Sequence, residues 1–174
     1  MTRSRFLFCL LSLITSLSAC GQKTLQGFQD SAQIMSVEDA MSQALGWMDD
    51  AQNSSSLDAS EKAFALKVKT TLIESRVLPS PDIHNMECDK SNGGFVAAYV
   101  SNEENSPIFV CESGFEFGSE FLAQVFVHEA IHLSGILDEC QTTVLEQKLI
   151  SAGGGNPFKN SYFEACGLSS DDDE

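Results

Sequence analysis

The stretch Ser119–Gln141 reads SEFLAQVFVHEAIHLSGILDECQ, and inside it lies His128-Glu129-Ala130-Ile131-His132, an HExxH motif. Residues i and i+4 of a helix sit one turn apart on the same face. On a helix, His128 and His132 therefore present two imidazoles to one ion, and Glu129 can reach a water beside it. The surrounding residues predict that helix. Ser119 is expected as its N-cap, Glu120 suits the positive helix end, and Gly135 is expected as a left-handed stop. Phe121, Leu122, Val125, Phe126, Val127, Ile131 and Leu133 make the segment apolar on most faces, which predicts burial. Two imidazoles and a carboxylate on a buried helix need partners, because each unsatisfied polar group costs about 1–3 kcal/mol. One metal ion would satisfy both imidazoles; two structural histidines with local hydrogen bonds are the plainer alternative.

From His128 to Asp138 the sequence fits HExxHxxGxxD. This run resembles the extended motif of the zincin-type zinc metallopeptidases, in the form with aspartate as third ligand. The resemblance implies one zinc ion on His128, His132 and a carboxylate, with Glu129 as general base and a fourth position left for water. It also implies a methionine turn downstream, and here the chain departs from the pattern, since no methionine follows Met86. Asp138 has a second reading. It suits the N-cap of a following helix from Glu139 to Ser151, with Gln141 placed as in a capping box. If Asp138 caps, Glu139 on the first turn is free to bind metal, as a following-helix glutamate does in glutamate-type zincins. The third ligand is thus Glu139 or Asp138, with Glu146, Glu164 and His84 as further candidates. The resemblance also gives Tyr162 a role in polarising a substrate carbonyl, against simple packing, and offers an edge strand ahead of the helix to an extended peptide.

Elsewhere the pattern predicts a small α+β domain. Ser36 and Asp39 have cap spacing before the stripe Val37, Met41, Ala44, Leu45 and Met48, and Asn53-Ser54-Ser55-Ser56 breaks that helix. A second helix is expected near Asp58, burying Phe64, Ala65, Val68 and Leu72 and turning Lys62, Lys67 and Lys69 to water. Pro79-Ser80-Pro81 ends it. Residues 94–100 and 108–111 read as the strands of a hairpin around a polar turn. In the last helix Val144, Leu145, Leu149 and Ile150 are expected to point inward, and Gly153-Gly154-Gly155-Asn156-Pro157 follows as a break.

The N-terminus reads as a leader. Arg3 and Arg5 precede an apolar run, Leu7 to Leu17, too short to span a bilayer. Leu17-Ser18-Ala19-Cys20 resembles a bacterial lipobox, which implies cleavage after residue 19 and lipidation of Cys20; Gly21 then implies passage to the outer membrane. Acyl chains contribute about 0.8 kcal/mol per buried methylene, enough for a stable membrane anchor. Of six cysteines, Cys88, Cys111, Cys140 and Cys166 then remain, an even number suited to an oxidising compartment. Three pairings are open. Cys88–Cys111 and Cys140–Cys166 are favoured because each closes a local loop, and a four-cysteine zinc site lacks any CxxC pair.

The 174 residues carry 10 basic and 25 acidic side chains, a formal charge of −15. That balance argues against nucleic acid as a partner. The expected organisation is a signal peptide at 1–19, a lipidated tether at 20–35, a zincin-like domain at 36–167 and an acidic tail at 168–174. The domain is expected to hold four main helices, with a short β-hairpin or sheet packed on the HExxH helix. The expected activity is zinc-assisted hydrolysis of a peptide or protein substrate in the bacterial envelope, on the periplasmic or outer side. A non-catalytic envelope lipoprotein, with structural zinc or a degenerate peptidase fold that holds a partner, is the alternative.

Overall fold

A computed structural model describes residues 27–81, 88–90, 94–101, 106–159, 163 and 165–168. The leader, Cys20, His84, Tyr162, Glu164 and residues 169–174 lie outside the described residues. Among the described residues the fold is mixed α and β: four helices and a small three-stranded sheet.

The first helix, α1 (Ser31–Asn53), begins ahead of Ser36 because Asp30 supplies the cap, its carboxylate accepting from the Ala32 N–H at 2.8 Å. Phe28 just before it is buried. Residues 31–35, expected in the tether, are therefore the first turns of α1, and the Ser36–Asp39 spacing lies inside the helix. Val37, Ala40, Ala44, Trp47, Met48 and Ala51 form its buried stripe, and it ends at Ser54. Helix α2 (Ala59–Glu74) starts in a full capping box, with Asp58 accepting from the Glu61 N–H and Glu61 accepting from the Asp58 N–H. Lys67 does not simply face water. Its ammonium donates to the Ser134 carbonyl at 2.8 Å, and Thr71 and Ser134 pair their hydroxyls at 3.1 Å.

The expected hairpin is present in part. Gly94–Phe95 (β3) pairs with Asp89–Lys90 (β2), while Ala98–Tyr99 (β4) pairs antiparallel with Ile108–Val110 (β5). The long strand is broken between them. There the Val96 carbonyl accepts from the Ser113 hydroxyl at 2.7 Å and the Ala97 carbonyl from the Cys111 N–H at 3.0 Å. A strand absent from the sequence expectation, β1 (Val77–Pro79), joins the other side of β5 in parallel, giving the order β1-β5-β4. Pro79 is tolerated because β1 is an edge.

A 3-10 turn, Glu112–Phe115, leads into α3 (Gly118–Leu133), and α4 (Glu139–Ala152) follows. Helix α3 starts one residue before Ser119, at a positive-φ glycine, and carries no side-chain cap, so Ser119 is not its N-cap. α1 packs against α2, α3 and α4, and β4 rests on α3. On α4 the inward face is Thr142, Thr143, Glu146, Leu149 and Ile150, which turns Val144 out to solvent, against expectation. Disulfides join Cys88 to Cys111 and Cys140 to Cys166. Loops of 23 and 26 residues give each roughly 3–4 kcal/mol on the chain-entropy account. No helix among the described residues is long and apolar enough to cross a membrane.

Two glycines separate freedom from necessity. A Cβ on Gly46 in α1 would meet nothing within 4 Å, whereas one on Gly153 would run into the Trp47 backbone. Gly46→Ala should therefore stabilise the protein by about 0.5–1 kcal/mol. Gly153→Ala should destabilise it by about 1–3 kcal/mol. Urea denaturation with both disulfides intact checks both signs.

Candidate metal centre

The site begins with how α3 stops. Gly135 takes φ +100°. Its N–H donates to the His132 carbonyl at 2.8 Å, and the Ile136 N–H donates to the Ile131 carbonyl at 3.3 Å. These two bonds make a Schellman stop. The turn brings the Ile136 carbonyl back to the helix, 2.7 Å from His132 Nδ1. A carbonyl only accepts, so the proton of this ring sits on Nδ1 and the Nε2 lone pair faces outward. The buried Thr142 hydroxyl donates to the same carbonyl at 3.4 Å.

One turn earlier, His128 Nδ1 lies 2.7 Å from Glu146 Oε2, and the Glu146 side chain is 1 % exposed. The carboxylate again fixes the proton on Nδ1. His128 Nε2 then comes 3.1 Å from His132 Nε2. Glu139 Oε2 completes a triangle, 3.2 Å from His128 Nε2 and 3.4 Å from His132 Nε2. Both rings thus turn lone pairs toward a third acceptor. Such a convergence is repulsive unless a cation occupies it.

The spacing fits a metal ion. Four ligands held tetrahedrally at about 2.0–2.1 Å stand about 3.4 Å apart. The three observed edges match, and His128, His132 and Glu139 are the group among the described residues able to hold a metal. Of the two main third-ligand candidates, Asp138 is occupied elsewhere. It caps α4, accepting from the Gln141 N–H at 2.8 Å. That cap places Glu139 on the first turn, where its half-exposed carboxylate swings in over the histidines. Glu146 is not in the triangle but behind His128, as the partner that orients the ring. His84, Glu164 and Tyr162 lie outside the described residues.

Electrostatics follow from this packing. Burial opposes charging of His128, but the hydrogen bonds from Glu139 and Glu146, with the Glu146 and Glu129 charges, push its pKa up to about 10. His132 is moved the same way against its own burial, by the Glu139 and Ile136 hydrogen bonds. The hydrogen bonds from His128 and His132 hold the Glu139 carboxyl well below the usual carboxylate range, against its partial burial. Glu129 is 7 % exposed. Burial raises its carboxyl, and the two imidazoles only partly offset that. A carboxylate made more basic in this way is a better proton acceptor near neutrality.

Some of the site escaped the sequence reading. Glu146 is expected only as a further third-ligand candidate and Gln124 not at all, although Glu146 follows Glu139 by two helical turns and Gln124 precedes His128 by one, so helical spacing carried a signal for both. The Ile136 carbonyl carried none. No protein-family model, curated protein or solved structure matches the chain; what the site does must be argued from its own geometry.

The raised His128 pKa gives a prediction with a definite sign. Below about pH 10 the metal-free centre holds a proton among His128, His132 and Glu139. A metal must displace it, so binding at pH 7 should release at least one proton, and affinity should fall as the pH is lowered. Calorimetric titration with zinc in buffers of different ionisation enthalpy reads the proton count.

Proposed function

We propose that this chain is a zinc-dependent metallopeptidase of zincin type, held in the bacterial envelope by a lipid on Cys20. The observation that carries this reading is the triangle of His128, His132 and Glu139 atoms, 3.1–3.4 Å apart, with Glu129 between the two histidines in sequence. A structural zinc site has no use for that glutamate; a hydrolytic one does.

In this reading His128, His132 and Glu139 are the zinc ligands. Zinc bound there would supply a Lewis acid and lower the pKa of a bound water. Glu129 takes a proton from the attacking water and returns it to the leaving amine. Burial raises its carboxyl above the usual range, which suits it to accept that proton. Glu146 and the Ile136 carbonyl hold the two imidazoles in the tautomer that leaves Nε2 free. The edge strand β4, packed on α3, is the strand to which an extended peptide substrate would add. Tyr162 is the residue assigned to polarise the substrate carbonyl. The Leu17-Ser18-Ala19-Cys20 sequence and the two disulfides support export and anchoring at the outer membrane.

The wild type should bind one zinc, measured by elemental analysis of the purified chain, and His132→Ala should lose it. Glu129→Gln should keep the metal and lose roughly 10²–10⁴-fold in cleavage rate on a peptide library. Zinc bound with no cleavage by the wild type would favour the non-catalytic lipoprotein instead. Labelling with radioactive palmitate in a bacterial host should mark the wild type, and Cys20→Ser should abolish the label.

A further inference from the structure

Behind His128 the polar network continues into the core. Glu146 spends Oε2 on His128 Nδ1, and its Oε1 accepts an N–H from the Gln124 side chain. Gln124 lies one helical turn before His128 on α3 and is 3 % exposed. Its amide is fully used. Nε2 also donates to the Phe158 carbonyl at 2.8 Å, and Oε1 accepts from the Phe158 N–H at 2.6 Å. Two N–H groups and one carbonyl leave a single way to seat this side chain. Turned over, its oxygen would face the Glu146 carboxylate and the Phe158 carbonyl together.

Phe158 belongs to the segment that leaves α4 after Gly153. Gln147 donates to the same Phe158 carbonyl at 3.0 Å. The Phe158 ring stands edge-on to Phe121 of α3, with centroids 5.8 Å apart. Further along, Cys166 is bonded to Cys140, the neighbour of Glu139. The segment is thus fastened beside both carboxylate-bearing sides of the centre.

We propose that Gln124 is a positioning residue of the metal centre, through which the Phe158 backbone sets Glu146 and thereby the ring of His128. The role rests on the metal reading above and extends it to residues that touch no ligand atom. Without the amide, the buried Glu146 carboxylate keeps only the His128 N–H of these two donors. Nothing then fixes its rotamer, and the imidazole it orients loses its fixed direction. Outer partners of this kind are typically worth 10–100-fold in metal affinity.

The test uses the full mature chain with zinc affinity read by competition with a chromogenic chelator, and cobalt(II) as a spectroscopic probe of ligand geometry. Gln124→Met keeps the length of the side chain and removes all three hydrogen bonds. It should weaken zinc 10–100-fold and alter the cobalt d–d bands. In a Glu146→Gln background the same change should add little, because both act on one ring. Unchanged affinity and bands in a folded Gln124→Met protein would overturn the proposal, as would losses that simply add. If Gln124→Met does not fold, Phe158→Pro decides, compared with Phe158→Ala to account for the lost ring contact on Phe121 of α3, since it deletes the N–H that Gln124 accepts. Weakened zinc supports the role and unchanged zinc overturns it. A wild type that takes up no zinc would overturn the metal centre itself, and this role with it.

Discussion

Two imidazole lone pairs and a carboxylate oxygen, held 3.1–3.4 Å apart, repel one another unless a cation sits among them. Much of the molecule serves to impose that arrangement. The Ile136 carbonyl and Glu146 claim the Nδ1 protons, so neither ring can relieve the contact by changing tautomer. Asp138, by capping α4, commits Glu139 to the first turn and the third corner of the triangle. The metal-free protein answers with a proton, visible in the raised His128 pKa. The same group could hold a metal ion, which would take all three lone pairs at once.

Rigidity for such a strained polar cluster comes from an apolar frame. α1 packs against all three other helices, and α3 is buried through Leu122, Ala123, Phe126, Val127, Ala130 and Ile131. Lys67 and Thr71 of α2 hold the Ser134 end of α3, just where the chain turns to aim the Ile136 carbonyl. Cys140–Cys166 fastens the C-terminal segment to the first turn of α4. The Glu139 side remains half exposed, so the centre is walled by the core on one side and open to solvent on the other.

What the sequence by itself determined was local. The i,i+4 histidines, the capping residues Asp58 and Asp138 and the Gly135 stop all depend on a few neighbouring residues. Their physics is settled within one or two turns of chain. Where two local solutions competed, the helix start moved by nearly two turns: Asp30 displaced Ser36 as the cap of α1, and the buried Phe28 brings the earlier residues into the fold. Val144 was misplaced because α4 turns Thr142, Thr143 and Glu146 inward, of which Thr142 and Glu146 bond to the centre's surroundings.

Only the tertiary structure decided the long-range pairings. β1 lies parallel to β5, a contact with no periodic signature in a proline-bearing segment. The choice between Asp138 and Glu139 needed the cap geometry as well as the spacing. Gln124 is an ordinary glutamine on an apolar helix until Phe158 is folded against it. A side chain's hydrogen bonds to distant backbone leave no pattern in the sequence. The residues that donate lone pairs to the centre could be read from the motif and its neighbours; the ones that aim them could be read only once the chain had closed around them.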